Sequence, residues 1–323
     1  MIPIASTSDK FTIIHEAATR PGNLLNIKYL CELAGVSRSG YYNWVAAEDG
    51  RQRREAQDRL DFDRILEAYR FRGYDKGARG IYMRLLHMAP PVVMNIKKIR
   101  RIMNKYGLMC PIRKANPYRR MAKAIKTSYV APNLLNREFR THGPRKILLT
   151  DITYILFGSG KRGYLSTIID AYTKQVLSYV YSPSLELEFV LESIQLLISN
   201  HGVTLQAETL VNSDQGAHYT SYKFVRLLKD KKLRQSMSRR ANCWDNAPQE
   251  SFYGHMKDEI DISMCDTHEQ VAAIIDDWMD YYNNDRYQWD LARLSPNEYY
   301  EYALSDNYPL ERDPPPDKLT VGN

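Results

Sequence analysis

Cysteine is scarce and scattered. Four occur, Cys31, Cys110, Cys243 and Cys265, and none forms a C-x-x-C pair, which excludes both a disulfide framework and a zinc knuckle. They read as reduced, packed thiols. The seven histidines lack metal-site spacing, so a zinc-based end-binding module is not expected. No apolar run approaches the roughly 18 residues of a membrane span, and the N-terminus carries no basic start followed by an apolar core. The expected setting is the cytoplasm, with no membrane partner.

Acid is what the N-terminal part lacks. Between Arg72 and Lys146 stand 19 basic residues and only two acidic ones, Asp75 and Glu138. Residues 1–140 hold 27 Lys and Arg against 12 Asp and Glu, whereas residues 141–323 hold 18 against 26. A field of that sign attracts polyanions, because Lys and Arg that neutralise phosphates release condensed counterions. Asn116-Pro-Tyr-Arg-Arg120 and Asn104-Lys-Tyr-Gly107 add amides and rings that can bond or stack on a nucleic acid. A solvated basic face is the plainer account of the same charges. From Asp245 to Asn323 there are 18 acidic and 5 basic residues, so that end is not expected to track a phosphate backbone unless metal ions intervene.

At 323 residues the chain has room for about two domains. Residues 24–46 read as helix, turn, helix, with Leu30, Leu33 and Ala34 on one apolar face, Cys31 at the helix crossing, Gly35 in the turn and Ser37 as a cap. An ordinary helical hairpin would satisfy that pattern as well as a DNA-binding one, and the unit is assigned to residues 1–50. A second helical unit, 51–110, holds helices around 51–72, 79–87 and 95–106. In the last, Ile96, Ile99, Ile102 and Met103 mark one face, while Lys97, Lys98, Arg100, Arg101 and Lys105 crowd the rest as candidate phosphate contacts. Residues 111–140 read as a basic linker, interrupted by Pro111, Pro117 and Pro132.

From Ile147 the period changes. Apolar, β-branched runs at 147–156, 164–169 and 175–181 predict three hairpin-linked strands, with Gly158-Ser-Gly160 in the first turn. Helices are expected at 186–200, 221–230, 248–260 and 268–282, with strands at 208–212 and 234–237 between them. Residues 141–302 should thus form an α/β core with a mixed sheet and C-terminal helices, followed by a flexible tail at 303–323.

Three acids fall where this layout would gather them. Asp151 interrupts an apolar strand, which is costly unless the charge is paired or bound to a cation. Asp214 follows a short strand, where ligands collect in α/β sheets, and Gly216 would allow a tight turn there. Glu250 opens a helix that Asn246 or Ala247 can cap and Pro248 suits. Lys257 lies on the same helix face and could meet a phosphate. Hard divalent cations take carboxylates, water and substrate phosphate, and a pair of ions about 3.5–4 Å apart can steady both attacking and leaving oxygens. Taken singly, each acid favours a plainer account: Asp-Gln-Gly is a common turn, and a Glu near a helix start complements the helix dipole.

Together these residues carry a resemblance. Thr150-Asp-Ile-Thr-Tyr154, Ser213-Asp-Gln-Gly216 and the run from Ser236 through Cys243-Trp-Asp-Asn-Ala-Pro-Gln-Glu250 to Gly254 resemble the OrfB-type catalytic transposases of the IS-three family of insertion sequences. Asn133-Leu-Leu-Asn-Arg-Glu-Phe139, Tyr281-Tyr-Asn-Asn284 and Leu294-Ser-Pro296 match too, so that the resemblance runs from about Tyr29 to Tyr299. It implies a ribonuclease-H-like catalytic core, as in retroviral integrases, preceded by a helical helix-turn-helix region. Asp151, Asp214 and Glu250 would be the catalytic metal ligands, holding two Mg²⁺ or Mn²⁺ ions, with Lys257 as a DNA contact. Arg239, Asn242, Asp245 and Asn246 would shape a DNA-facing loop over the site. His218 and Tyr219 could contact DNA or simply pack. Leu148 departs from the family pattern, standing where a tryptophan is common.

The implied chemistry is metal-dependent DNA cleavage and strand transfer at insertion-sequence ends, without a covalent enzyme intermediate. Implied partners are double-stranded DNA at transposon ends and target, a homo-oligomer in the end complex, and an OrfA-type product of the upstream frame, free or as a frameshift fusion. Bound to DNA, the protein would be nucleoid-associated. Two other readings stay open: a catalytically silent DNA-binding regulator or relic of the same element, and a structure-selective nuclease that cuts without joining. No sustained heptad repeat is present to supply a zipper.

Overall fold

The structure, a computed structural model, describes residues 6–74, 76–110, 142–205, 209–238 and 247–310. By its internal contacts the chain divides into two compact units, Met1–Leu66 and Glu67–Asn323. The division falls inside the expected 51–110 segment, and the expected linker at 111–140 lies outside the described residues.

The first unit contains α1 (Thr7–Thr19), α2 (Ile27–Ala34), α3 (Arg38–Ala46) and the start of α4 (Glu48–Arg70). The turn between α2 and α3 is as read from the sequence: Gly35 takes a φ of +66°, and Ser37 Oγ accepts the Gly40 N–H at 3.1 Å. Helix α1 was not expected. Its signal is a capping box, with the Ser6 hydroxyl and Asp9 carboxylate each accepting the other's backbone N–H. Phe11 and Ile14 of α1 bury against Leu30, Cys31 and Tyr41, which corrects one assignment. Leu33 is 74% exposed, because a stripe through residues 30, 31 and 34 leaves position 33 roughly 110° away around the helix.

The second unit begins with the end of α4 and a single 3-10 turn at Phe71–Gly73, followed by α5 (Ala78–Leu86) and α6 (Ile96–Lys105). Its sheet consists of β1 (Ile147–Phe157), β2 (Lys161–Asp170), β3 (Val176–Ser182), β4 (Leu210–Ser213) and β5 (Arg234–Met237) in the order β3-β2-β1-β4-β5. The first three strands pair antiparallel, while β4 lies parallel to β1 and β5 parallel to β4. The sheet is mixed, as the pattern predicts.

Alternation along the strands divides the core in two. Leu148, Ile168 and Val211 pack with α7 (Glu188–His201) and α8 (Tyr222–Asp230). Leu149, Ile155, Leu165 and Ile169 pack with α9 (Ala247–Glu259) and α10 (His268–Asn284). Leu148 is fully buried in the first of these clusters, so an aliphatic side chain fills the place where a tryptophan is common. The matched Asn283 uses its amide to pair with both Val176 N–H and C=O at 2.9 Å, holding the edge strand β3 to α10. A last helix, α11 (Pro296–Ser305), is capped by Ser295 and Glu298 and extends past position 302, where the tail was expected to begin.

Part of the charge division is spent inside this unit. Arg72 bonds Asp277, Asp280 and Asp285 at 3.1, 2.9 and 3.3 Å. Tyr74 stacks on Tyr281 with ring centroids 4.3 Å apart, and its hydroxyl donates to Asp277 at 2.6 Å. The acidic α10 is thus the seat of the basic segment that precedes α5.

Candidate active site

Asp151 sits in the middle of β1, half-buried, and its Oδ1 accepts the Ile152 N–H at 2.8 Å. Asp214 directly follows β4; part of the residue's surface reaches solvent while protein packs around its carboxyl. The parallel register pairs Leu149 with Asn212, and each acid stands two residues beyond its member of that pair. Asp214 therefore leaves the end of β4 beside the part of β1 that carries Asp151, the paired strands themselves being about 4.8 Å apart. The buried Tyr219 phenol feels both carboxylates, which together with burial hold its proton on far above the usual range. Its hydroxyl is 3.5 Å from Thr150 Oγ1. Tyr219 is thus a packing residue.

The Gly216 N–H donates to Asp214 Oδ1 at 2.8 Å. A Cβ at Gly216 would come within 2.9 Å of that oxygen. The chain turns here as expected, with the Tyr219 N–H donating back to the Gly216 carbonyl at 3.1 Å, although Gly216 is not left-handed; a side chain there would have to displace the Asp214 carboxylate. Removal from water raises the Asp214 carboxyl above its ordinary value, against the Gly216 N–H and His218, which lower it. His218 itself donates Nε2–H to the Leu185 carbonyl at 2.9 Å.

Glu250 lies in the first turn of α9, exposed, with its carboxyl also raised by desolvation. The same helix is pinned to the sheet by residues spaced four apart. Gln249 donates to Thr167, the Tyr253 hydroxyl donates to the Asp151 carbonyl at 2.6 Å, and Lys257 Nζ donates to Thr153 Oγ1 at 2.6 Å. Lys257, expected at a phosphate, is therefore held beside β1. Sequence reasoning passed over Gln249, Tyr253 and Thr167; the signal available was the spacing of four that places 249, 253 and 257 in one stripe.

Among the described residues no group of three His, Cys, Asp or Glu side chains is close enough to hold a metal ion. The structure places Asp151 on β1 and Asp214 just past the end of its neighbour β4, and leaves Glu250 on the adjoining helix. Their donor chemistry fits Mg²⁺ or Mn²⁺, since one or two carboxylates suffice when water and substrate phosphate fill the remaining positions. Arg239, Asn242, Asp245 and Asn246 lie outside the described residues. On α6, Lys97, Arg100 and Arg101 are exposed and Lys98 is half-buried, while Ile99, Ile102 and Met103 face inward. No helix among the described residues is long and apolar enough to cross a membrane.

Two profiles described as integrase core domain match residues 141–243 and 231–296, and one described as HTH-like domain matches residues 55–116. An uncharacterized transposase-like protein of Haemophilus influenzae is 31% identical over 66% of this chain and 96% of its own length. The chain belongs to the IS-three family of insertion-sequence transposases. Transposase InsF for insertion sequence IS3A of Escherichia coli is 29% identical across 72% of this chain and 79% of that protein. A chain in the cryo-EM structure of the simian T-cell lymphotropic virus intasome with PP2A regulatory subunit B56 gamma gives a TM-score of 0.40 at 16% identity, covering 68% of this chain and 72% of that one. The mixed sheet with its flanking helices is the ribonuclease-H-like core of an integrase-type transposase.

Proposed function

We propose that this chain cuts DNA at the ends of an insertion sequence and joins the freed ends to a second phosphodiester, with Asp151, Asp214 and Glu250 as its catalytic carboxylates. The observation that carries the reading is that Asp151 on β1 and Asp214 just past the end of the parallel neighbour β4 both act on the buried Tyr219 phenol, beside a helix that holds Glu250 in its first turn. The acids would hold Mg²⁺ or Mn²⁺, two ions in all, which activate the attacking oxygen and steady the leaving one. The Gly216 N–H fixes the direction of the Asp214 carboxylate. Burial raises the Tyr219 and Tyr253 phenols further above their ordinary range, so both act as hydrogen-bonding groups and not as bases. The exposed Lys97, Arg100 and Arg101 of α6 offer phosphate contacts, joined by Lys98, Lys257 and the loop residues Arg239, Asn242 and Asn246. Partners are double-stranded DNA, further copies of the chain in the end complex, and an OrfA-type upstream product.

The test is a cleavage and joining assay on DNA bearing the element's ends, with Mg²⁺ or Mn²⁺, comparing wild type with Asp151→Asn and Glu250→Gln. Both variants are expected to keep DNA affinity and lose both products. Products retained by either variant would refute the assignment.

A further inference from the structure

Between α9 and the sheet, a run of polar groups crosses an otherwise apolar cluster that includes Leu149, Ile155, Phe252 and Met256. Gln249 is fully buried and donates from Nε2 to Thr167 Oγ1. Thr167 and the Tyr253 hydroxyl lie 2.8 Å apart, and the Tyr253 hydroxyl reaches the Asp151 carbonyl at 2.6 Å. A phenol has one proton, and the carbonyl can only accept. The order is therefore fixed: Gln249 donates to Thr167, Thr167 to Tyr253, and Tyr253 to Asp151. Among the described residues Gln249 Oε1 meets no hydrogen-bond donor, and burying such polar groups gives less net stability than apolar side chains of similar size would.

What the run adds is register. Apolar contacts tolerate sliding of a helix along a sheet, whereas directional bonds do not, and one turn of slippage would move a helical residue by about 5.4 Å. One end of the run is the residue before Glu250, and the other is the backbone of Asp151 itself. We propose that Tyr253 is a positioning residue that sets Glu250 against Asp151 through this run, so that its hydroxyl tunes divalent-cation binding without touching substrate. The inference rests on the reading of Asp151 and Glu250 as carboxylates of the active site.

The experiment uses the full chain and measures Mn²⁺ binding by electron paramagnetic resonance, together with hydrogen exchange of the peptide covering 247–254. Tyr253→Phe removes the hydroxyl and keeps the ring, and Thr167→Val breaks the run one step earlier. Each is expected to weaken Mn²⁺ binding by about tenfold, the scale found for groups that orient metal ligands, and to speed exchange in the first turns of α9. In the joining assay kcat should fall while the KM for DNA stays near wild type. Wild-type Mn²⁺ binding in a folded Tyr253→Phe would overturn the inference; should that variant fail to fold, the same readouts on Thr167→Val decide. Asp151→Asn separates the two levels of argument. If it binds Mn²⁺ like wild type, the reading of the site fails; if it does not, while Tyr253→Phe does, only the positioning role fails.

Discussion

Asp214 is held in a place that disfavours its charge. Burial by surrounding protein raises its carboxyl, as it does that of Glu250. For an acid whose folded value lies above its unfolded one, ionisation opposes folding above the folded value, and the penalty vanishes below the unfolded value. Without divalent cation, Asp214→Asn should therefore melt higher than wild type at neutral pH, and the gain should shrink as pH falls through the carboxylate range. A scanning calorimetry series at several pH values checks this, and a variant that melts lower throughout would contradict it. Cation binding needs the ionised acids. The Mn²⁺ concentration for half-saturation should thus rise on acidification, beginning at a higher pH than ordinary carboxylates would require. The positions of these acids relative to the sheet were legible from the sequence, Asp151 within an apolar strand and Asp214 directly after a short one. The turn at Gly216 was legible from the sequence, whereas only coordinates reveal the Asp214 oxygen 2.9 Å from the place a Cβ would occupy.

Helix boundaries followed from caps and periodicity, as with Asn95 before α6 and Ser221 before α8. What an element faces did not. The segment at Phe71–Gly73 reads as part of a basic DNA-binding half, yet Arg72, at a φ of +60°, turns its guanidinium onto three carboxylates presented by or directly after α10. Arg72→Ala should lower stability by roughly 1–2 kcal/mol, a charge-assisted contact discounted for partial exposure. Hydrogen exchange should quicken in 71–87 and 277–285, and unchanged protection in both peptides would dismiss the clamp. By contrast, α6 keeps its outward charges free for solvent at Lys97 and Arg100. Replacing both by alanine should weaken DNA binding across all sequences and reduce the slope of log affinity against log salt by about 1 per lost phosphate contact. An unaltered slope would remove α6 from the interface.

At the scale of the whole molecule, the division after Leu66 leaves a small helical unit with its own core around Phe11, Leu30 and Tyr41 and a larger unit built on the sheet. Separate cores imply separate cooperativity, so calorimetry should resolve two transitions, and divalent cation should shift only the one belonging to residues 67–323. A single transition displaced as a whole would argue against it. The sequence by itself determined the order of the elements after α1, the mixed sheet, the two acids beside the sheet and the helix that carries Glu250 in its first turn, because periodicity, caps and misplaced charges are local properties of the chain. Only the tertiary structure decided that Leu33 faces solvent, that α10 receives Arg72, and that Tyr253 ties α9 to the backbone of Asp151. Those outcomes depend on which surfaces meet, within about 30 positions of sequence around Leu33 and across 100 or more for Arg72 with α10 and for Asp151 with Tyr253, and no local pattern encodes the partner of a face.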